Sequence, residues 1–363
     1  MRLFFLPPAA HGKIESAYSL AVDANPADVN QQTQVATSTR GARANKNRLG
    51  IGVWLLVALL AVLALSTPWA FGEVTLSGNV SAPRWAAGNL QLSLMPPAWM
   101  ADDVALQRAQ HARESNQYVP AMLLGTDRLG RDVLARLCAG SVISLSLGIS
   151  AALVATAVGV LWGAGAAWFG GRVDSVLMRS VDVLYALPSM LLVTLLGVAV
   201  DGFAERALGD FAPTSRQVLN FFTMLVAISG VGWLTMSRVV RGQVLSLRER
   251  PYVEAARAAG AGTGRIFWWH LLPNLAGPVA AYAALAVPGA ILSESFLSFL
   301  GIGIRDPLPS LGNLAAAGLP ELNLVKGRWW LLVPPCSVIA FALLTLNFAA
   351  DRLRDRLDPA SAG

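Results

Sequence analysis

The side chains best suited to acid–base, metal or nucleophilic chemistry are few and scattered. Histidines stand only at His11, His111 and His270, and cysteines only at Cys138 and Cys336. His270 has no companion ligands at metal-binding spacing, and the two cysteines read as small apolar residues at the edges of apolar runs. No G-x-x-x-x-G-K-S/T phosphate loop occurs, since the one Gly-Lys pair, Gly12-Lys13, is followed by Ile14. An enzyme built on a His, Cys or Asp cluster, or one hydrolysing nucleotides itself, finds no support. Two acidic residues stand out instead. Asp182 and Glu294 lie within or beside long apolar runs, where an unpaired charge is costly and usually faces a cavity or a partner. One reading has them lining a passage and meeting a substrate amine. The more economical one is a structural pairing, Arg179 with Asp182, or a hydrogen bond across helices.

The richest local pattern is Pro251 to Pro273. Pro251 suits a first helical position, where its missing N–H costs nothing. Glu254 falls in the first turn and complements the helix dipole. Ala255, Ala256, Ala258 and Ala259 favour helix, and Gly260 can close it. The spacing predicts a helix of about nine residues, roughly 14 Å long. Thr263 can then cap a second amphipathic helix, Gly264–Leu272, ended by Pro273. A short helix with an alanine face suits insertion into a groove on another protein, with Glu254, Arg257 and Arg265 pairing at the rim. It equally suits lying on a membrane interface, where Trp268 and Trp269 would anchor it.

The elements that must carry these residues follow from hydropathy. The chain has 363 residues, 55% hydrophobic and 14% charged, with mean hydropathy +0.52, against about a quarter charged in a soluble domain. Uncharged runs cover Ile51–Phe71, Leu137–Gly171, Val183–Val200, Gln217–Ser237, Ile266–Ser293 and Trp329–Ala350. A crossing helix needs roughly 20 mainly apolar residues, so the expectation is an all-α membrane protein, a bundle of about six transmembrane helices. With the amino terminus inside, 17 Lys and Arg fall on the cytoplasmic side and 11 outside, six of those in the long Glu73–Arg136 segment. Long translocated segments are largely exempt from the positive-inside rule. Both termini are therefore expected in the cytoplasm. The net charge of +6 is a topology signal, and nucleic acid is not an expected partner; membrane lipid is.

The expected organisation is a disordered cytoplasmic tail over 1–48, a first span over 49–72, and an external segment over 73–140 with one short helix. A five-span core over 141–350 contains the loop 250–273, and a cytoplasmic tail covers 351–363. Within the external segment, Thr126 or Asp127 is expected to cap an amphipathic helix leading to the second span. Gly159 and Gly163 have the spacing that lets membrane helices approach closely.

Glu254-Ala255-Ala256, three residues, Gly260, nine residues and His270-Leu271-Leu272-Pro273 together resemble the EAA loop of ABC importer permeases. His270 stands where that family usually has Ile, as is common in its dipeptide and oligopeptide (peptide/nickel) branch. Three further stretches are similar to that branch. They are Leu124-Gly125-Thr126-Asp127 with Gly130-Arg131-Asp132; Asp182 with Pro188; and Glu294 followed by Leu297-Ser298-Phe299-Leu300-Gly301 and Pro309-Ser310-Leu311-Gly312-Asn313. The resemblance runs from about 48 to 358. Leu311 departs from a frequent Trp, and the amino-terminal tail is long for the branch. The resemblance implies a type I permease fold in a bacterial inner membrane and a translocation path for di- or oligopeptides. Partners would be a second permease in a heterodimer, ATPase subunits carrying ATP and Mg, and an external substrate-binding protein, with no cofactor on this chain. Tyr252, Glu254, Ala255, Ala256, Arg257, Gly260 and Pro273 would belong to the ATPase-coupling loop, Tyr252–Gly260 being the coupling helix. Asp182 and Glu294 would be path candidates. The same machine moving nickel complexes or another small solute is the sibling reading; a stand-alone secondary transporter would call for inverted repeats, and no convincing one is present.

Overall fold

The computed structural model describes residues 54–357 except 55, 59, 77–80, 209–212 and 323–326. The expected tail 1–48 lies outside the described residues, as do 358–363 of the carboxyl-terminal one. A first apolar helix, α1, covers Leu56–Phe71. A hairpin follows, β1 (Glu73–Thr75) with β2 (Ser81–Pro83), Val74 opposite Ala82; the sequence reading had only a helix in this segment. That helix is α2, Asp103–Glu114, capped by Asp102, whose carboxylate accepts from the Ala105 N–H at 2.9 Å. Ala105, Ala109 and Ala112 recur at helical spacing, and they pack this helix on Leu92, Met95 and Met122.

The long helix α3, Val133–Phe169, starts from Asp132, and neither Thr126 nor Asp127 caps it. Asp132 Oδ1 accepts from Leu134 N at 2.9 Å and Ala135 N at 3.2 Å, and Oδ2 accepts from Ala121 N at 3.1 Å. Burial, only partly offset by these amides, holds its carboxyl above the ordinary range. Thr126 is occupied elsewhere: its hydroxyl accepts from Met95 N at 2.8 Å and donates to Leu92 O. Asp127 is held by Arg131. Asp132→Ala should therefore lower the thermal midpoint of the solubilised chain, at a cost of about 1–2 kcal/mol, while Asp132→Asn keeps most of the cap; an unchanged midpoint in the alanine variant would remove Asp132 from this role.

With 37 residues, α3 runs to about 55 Å, longer than a hydrocarbon core of about 30 Å. Helix α4 (Gly171–Tyr185) and α5 (Ser189–Leu208) follow. The expected third span is not one straight helix: the apolar run Val183–Val200 is broken at 186–188, and Gly171–Tyr185 meets Ser189–Phe203 with a bend of 93°. Pro188 supplies the reason, since it disfavours helical geometry at Leu187 and has no N–H to continue the ladder.

Helix α6 (Pro213–Arg248) returns, and then come α7 (Pro251–Ala258) and α8 (Thr263–Ile266). A π-helical turn, Phe267–Leu271, leads into α9, Leu272–Phe299. Pro273 does not end a helix as expected. It sits in the first turn of α9, directly after the wider π turn that the Leu272 N–H to Phe267 O bond closes, and the chain runs on through it as one continuous helical element, Thr263–Phe299. Helix α10 (Leu311–Gly318) and α11 (Val333–Leu357) follow. Among the described residues, four helical elements can cross a membrane by length and composition, Val133–Phe169, Arg216–Arg248, Thr263–Phe299 and Trp329–Leu357, and the bent pair α4–α5 can make a fifth; Leu56–Phe71 is a shorter apolar helix.

The bundle is closed by small residues. A Cβ on Gly159 would lie 2.6 Å from the Met236 Cβ, one on Gly163 2.2 Å from the Ser237 carbonyl oxygen, and one on Gly148 2.3 Å from the Ile291 side chain. One face of α3 thus touches α6 and α9 nearly backbone to backbone. Hydrophobic clusters fill the remaining space, Ile143, Leu147, Met224, Ile228 and Leu297 at one level and Met236, Val240, Val244 and Leu275 at another.

Candidate functional site

Helix α7 has Pro251 in its first turn and Glu254 facing the amino-terminal dipole, as the sequence pattern implied. It ends in a two-bond carboxyl-terminal cap: Gly260 N–H donates to Arg257 O and Ala261 N–H to Ala256 O, at 2.9 and 3.0 Å. Gly260 takes φ +82°, a conformation in which a side chain is strained although no atom of the described residues would obstruct it. The anchor of this helix is Val253, fully buried among Ile266, Leu271, Trp168 and Leu247. Sequence reasoning missed it. The signal was there: Val253 is the one branched apolar side chain between Pro251 and Gly260. Ala256 packs on the same cluster. Tyr252, Ala255, Ala258 and Ala259 are exposed, together with Glu254 and Arg257. The anchor therefore decides which alanines are presented, and of the Ala255-Ala256 pair only Ala255 faces outward. Trp268 and Trp269, 65% and 76% exposed, project from the π turn that follows, as suits an interface of lipid and water.

The two acidic candidates have different surroundings. Asp182 lies on α4 with its carboxylate 61% exposed, 2.7 Å from Arg238 Nη2, and Arg238 also stands 4.0 Å over the Tyr185 ring. Its partner is Arg238 of α6, where the sequence had suggested Arg179. Two turns earlier Asp174 receives both Nε and Nη2 of Arg241 at 2.6 Å. Two ion pairs thus strap the amphipathic helix α4 along α6. Glu294, wholly buried, accepts from the Ser298 hydroxyl at 2.8 Å and lies at 3.4 Å from that of Ser295. Ser298 Oγ in turn accepts from Ile304 N, and Ser144 Oγ of α3 accepts from Leu311 N, the first residue of α10. The hydroxyls of Ser144 and Ser310 also hydrogen-bond to Glu294, so this serine network ties the end of α9 to α3 and α10, and Glu294 is not among the residues lining the cavity between α3, α5, α6 and α9.

That cavity, about 290 Å³, lies between α3, α5, α6 and α9, with Ala152, Ser189, Met190, Thr235, Gly289 and Ser293 on its walls. Its lining among the described residues is uncharged. Small and hydroxylated side chains on four helices leave space without committing it to one ligand charge. No single sequence motif marks this wall, because it is assembled from residues far apart in the chain.

Comparison with known proteins follows this architecture. A family model described as "Binding-protein-dependent transport system inner membrane component" matches residues 155–362. The chain is 43% identical over 235 residues to the dipeptide transport system permease protein DppC of Bacillus subtilis (strain 168), covering 65% of this chain and 68% of that protein. It is 39% identical over 235 residues to the oligopeptide transport system permease protein OppC of the same organism, covering 65% and 70%. Over 257 residues it is 41% identical to the oligopeptide transport system permease protein OppC of Escherichia coli (strain K12), covering 71% and 77%.

Proposed function

The chain belongs to the family of binding-protein-dependent transport system inner membrane components, and from that premise we propose that it forms half of a peptide translocation path driven by ATP hydrolysis on partner subunits. It is a multi-pass permease with the all-α type I fold of that family, and so a transport protein. The observation that carries the peptide assignment is the 39–43% identity, over about two thirds of the chain, to proteins named for dipeptide and oligopeptide transport.

The partners are a second permease, two ATPase subunits that bind ATP and Mg, and an external substrate-binding protein. In this reading α7 is the coupling helix. Its free face of Tyr252, Ala255 and Ala258 lies in a cleft of the ATPase, with Glu254 and Arg257 at the rim, and Gly260 and Pro273 set the path of the chain back into the bundle. Both termini are cytoplasmic, which puts α7 on the same side as the ATPases, and the 73–132 segment faces outward. The neutral cavity between α3, α5, α6 and α9 is this subunit's share of the path. Asp182 lies beside the hinge between α4 and α5, and its exposed carboxylate can meet a peptide amine when Arg238 swings away. Glu294 holds the outer end of α9 in place.

The test is affinity purification of the chain from its native membrane, with mass spectrometry of what accompanies it, repeated with a Glu254/Gly260 double variant. Recovery of a phosphate-loop ATPase and a second permease, with the ATPase lost in the variant, is the expected result. Recovery of the chain alone, under conditions that keep other membrane complexes intact, would turn the assignment to a stand-alone transporter.

A further inference from the structure

Where the 124–137 segment meets the 304–318 segment and the start of α11, a cavity of about 280 Å³ opens between them. Its polar wall is Asp127, Arg128, Arg131, Arg136, Asp306 and Asn313, and its apolar wall includes Leu137, Leu314 and Leu331. Arg136 is the unusual member. Its side chain is 3% exposed, yet among the described residues Nε and Nη1 have no hydrogen-bond partner. Leaving a buried guanidinium N–H unmet is costly, and the nearest acid to Nε, Asp127, is 3.6 Å away and already committed to Arg131 at 2.7 Å.

The second acid is held loosely. Asp306 reaches Arg136 Nη2 at 3.1 Å and Arg131 Nη1 at 3.4 Å while remaining 68% exposed. Charge-assisted N–H to carboxylate bonds normally close to about 2.7–2.9 Å. Asp306 therefore occupies the mouth of the cavity as a displaceable carboxylate, bridging two arginines without saturating either. Arg128 takes no part, being paired with Glu321 at 2.7 Å. Burial would raise the Glu321 carboxyl, but hydrogen bonds from Arg328 and Arg128 outweigh it and hold it below its ordinary value.

We propose that this cavity is a binding site for the terminal carboxylate of a short peptide, received by Arg136 and Arg131 once Asp306 is displaced. The chemistry fits on three counts. A guanidinium fork matches a carboxylate in two parallel bonds. The volume lies just below the roughly 300 Å³ at which small-molecule sites begin, which suits a peptide of two residues. The leucines beside the arginines can receive an apolar side chain. The inference rests on the outward placement of this segment under the proposed function, which makes it a site met by cargo before the central cavity.

The experiment uses the assembled complex in lipid nanodiscs, without ATP and without the external binding protein. Binding of radiolabelled dialanine and of dialanine amide is measured by equilibrium dialysis, and ATP-driven uptake of dialanine is measured on the same complex in liposomes with the binding protein restored. Dialanine is expected to bind, with the amide and the R136M variant each weaker by about tenfold or more, as befits loss of a charged hydrogen-bonded pair. R136K should fall between. D306A should bind dialanine severalfold more tightly, a gain that a purely structural role for the ion pairs does not produce. Should R136M fail to assemble, R136K and D306A decide. Absence of dialanine binding, equal binding of acid and amide, or D306A unchanged or weaker would overturn the site. Docking of the external binding protein that depends on Arg136, with no dialanine bound, would also overturn it and give the arginines to a protein partner. Uptake that proceeds while the site fails leaves the importer reading standing; a site that binds dialanine in a complex that takes none up counts against the importer reading alone.

Discussion

Replacing Gly163 with leucine will take the chain below the level at which it accumulates in the membrane, and transport will be lost with it. A Cβ at that position would lie 2.2 Å from the Ser237 carbonyl oxygen and 3.1 Å from the Arg241 amide nitrogen. Both are backbone atoms of α6, so no rotamer change relieves the clash and the two helices must separate. Separation also stretches the Asp174–Arg241 pair that fastens α4 to α6 and opens the cluster of Met236, Val240 and Val244 against Ala164 and Ala167. Overpacking typically costs 1–3 kcal/mol when side chains can yield. Here they cannot, and a total near or above about 3 kcal/mol is a large part of the stability of an ordinary domain. The matched control is Gly165→Leu, two residues along the same helix, where a Cβ meets nothing within 4 Å among the described residues. Quantitative immunoblotting of membranes should show a severalfold drop for the first variant and near-normal levels for the second. Equal levels would mean that helix propensity, and not close approach, governs this stretch of α3.

That pair of glycines also marks how far the sequence could be read. Gly159 and Gly163 carried a legible signal, because the requirement for small residues at a helix crossing is local and periodic. The apolar runs were legible for the same reason, and α3, α6, α9 and α11 lie where runs without charge placed them. Reading failed where two local rules compete or where the deciding partner is distant. Val183–Val200 satisfied the composition of a span, but Pro188 imposes a turn that hydropathy averages away. Pro273 looked like a stop signal, and the π turn before it makes it a start. Thr126 and Asp127 have the right chemistry for a cap, yet the backbone at Leu92 and Met95 and the Arg131 side chain claim them first, leaving Asp132 to the helix. Asp182 needed Arg238, 56 residues away, and no spacing rule reaches that far. The unsatisfied Arg136 is least visible of all, because an arginine one turn into a helix looks like a solvated charge until the 304–318 segment closes over it.

The second large effect concerns α7. Ala255→Trp should abolish ATP-driven uptake while the chain folds and inserts normally. The native methyl group is exposed, on the side of the helix away from the buried Val253, so an indole there starts from the open face of the helix and not from its anchor. If the Tyr252–Ala255–Ala258 face enters a cleft of the ATPase, an added ring has no room, and a filled contact between small residues becomes a steric block. The expected result is loss of the co-purifying ATPase and a fall in uptake of well over tenfold. The anchor gives the complementary variant. Val253→Ala leaves the presented face unchanged but removes two methyl groups from the cluster with Ile266 and Leu271, a deletion worth about 1–3 kcal/mol. The ATPase should still associate and hydrolyse ATP, whereas uptake per ATP falls, because a helix seated loosely on its own bundle moves without carrying the bundle with it. Association lost in A255W and retained in V253A separates contact from force transmission. Normal uptake in A255W would place α7 against lipid, with Trp268 and Trp269, and the coupling contact would have to lie elsewhere.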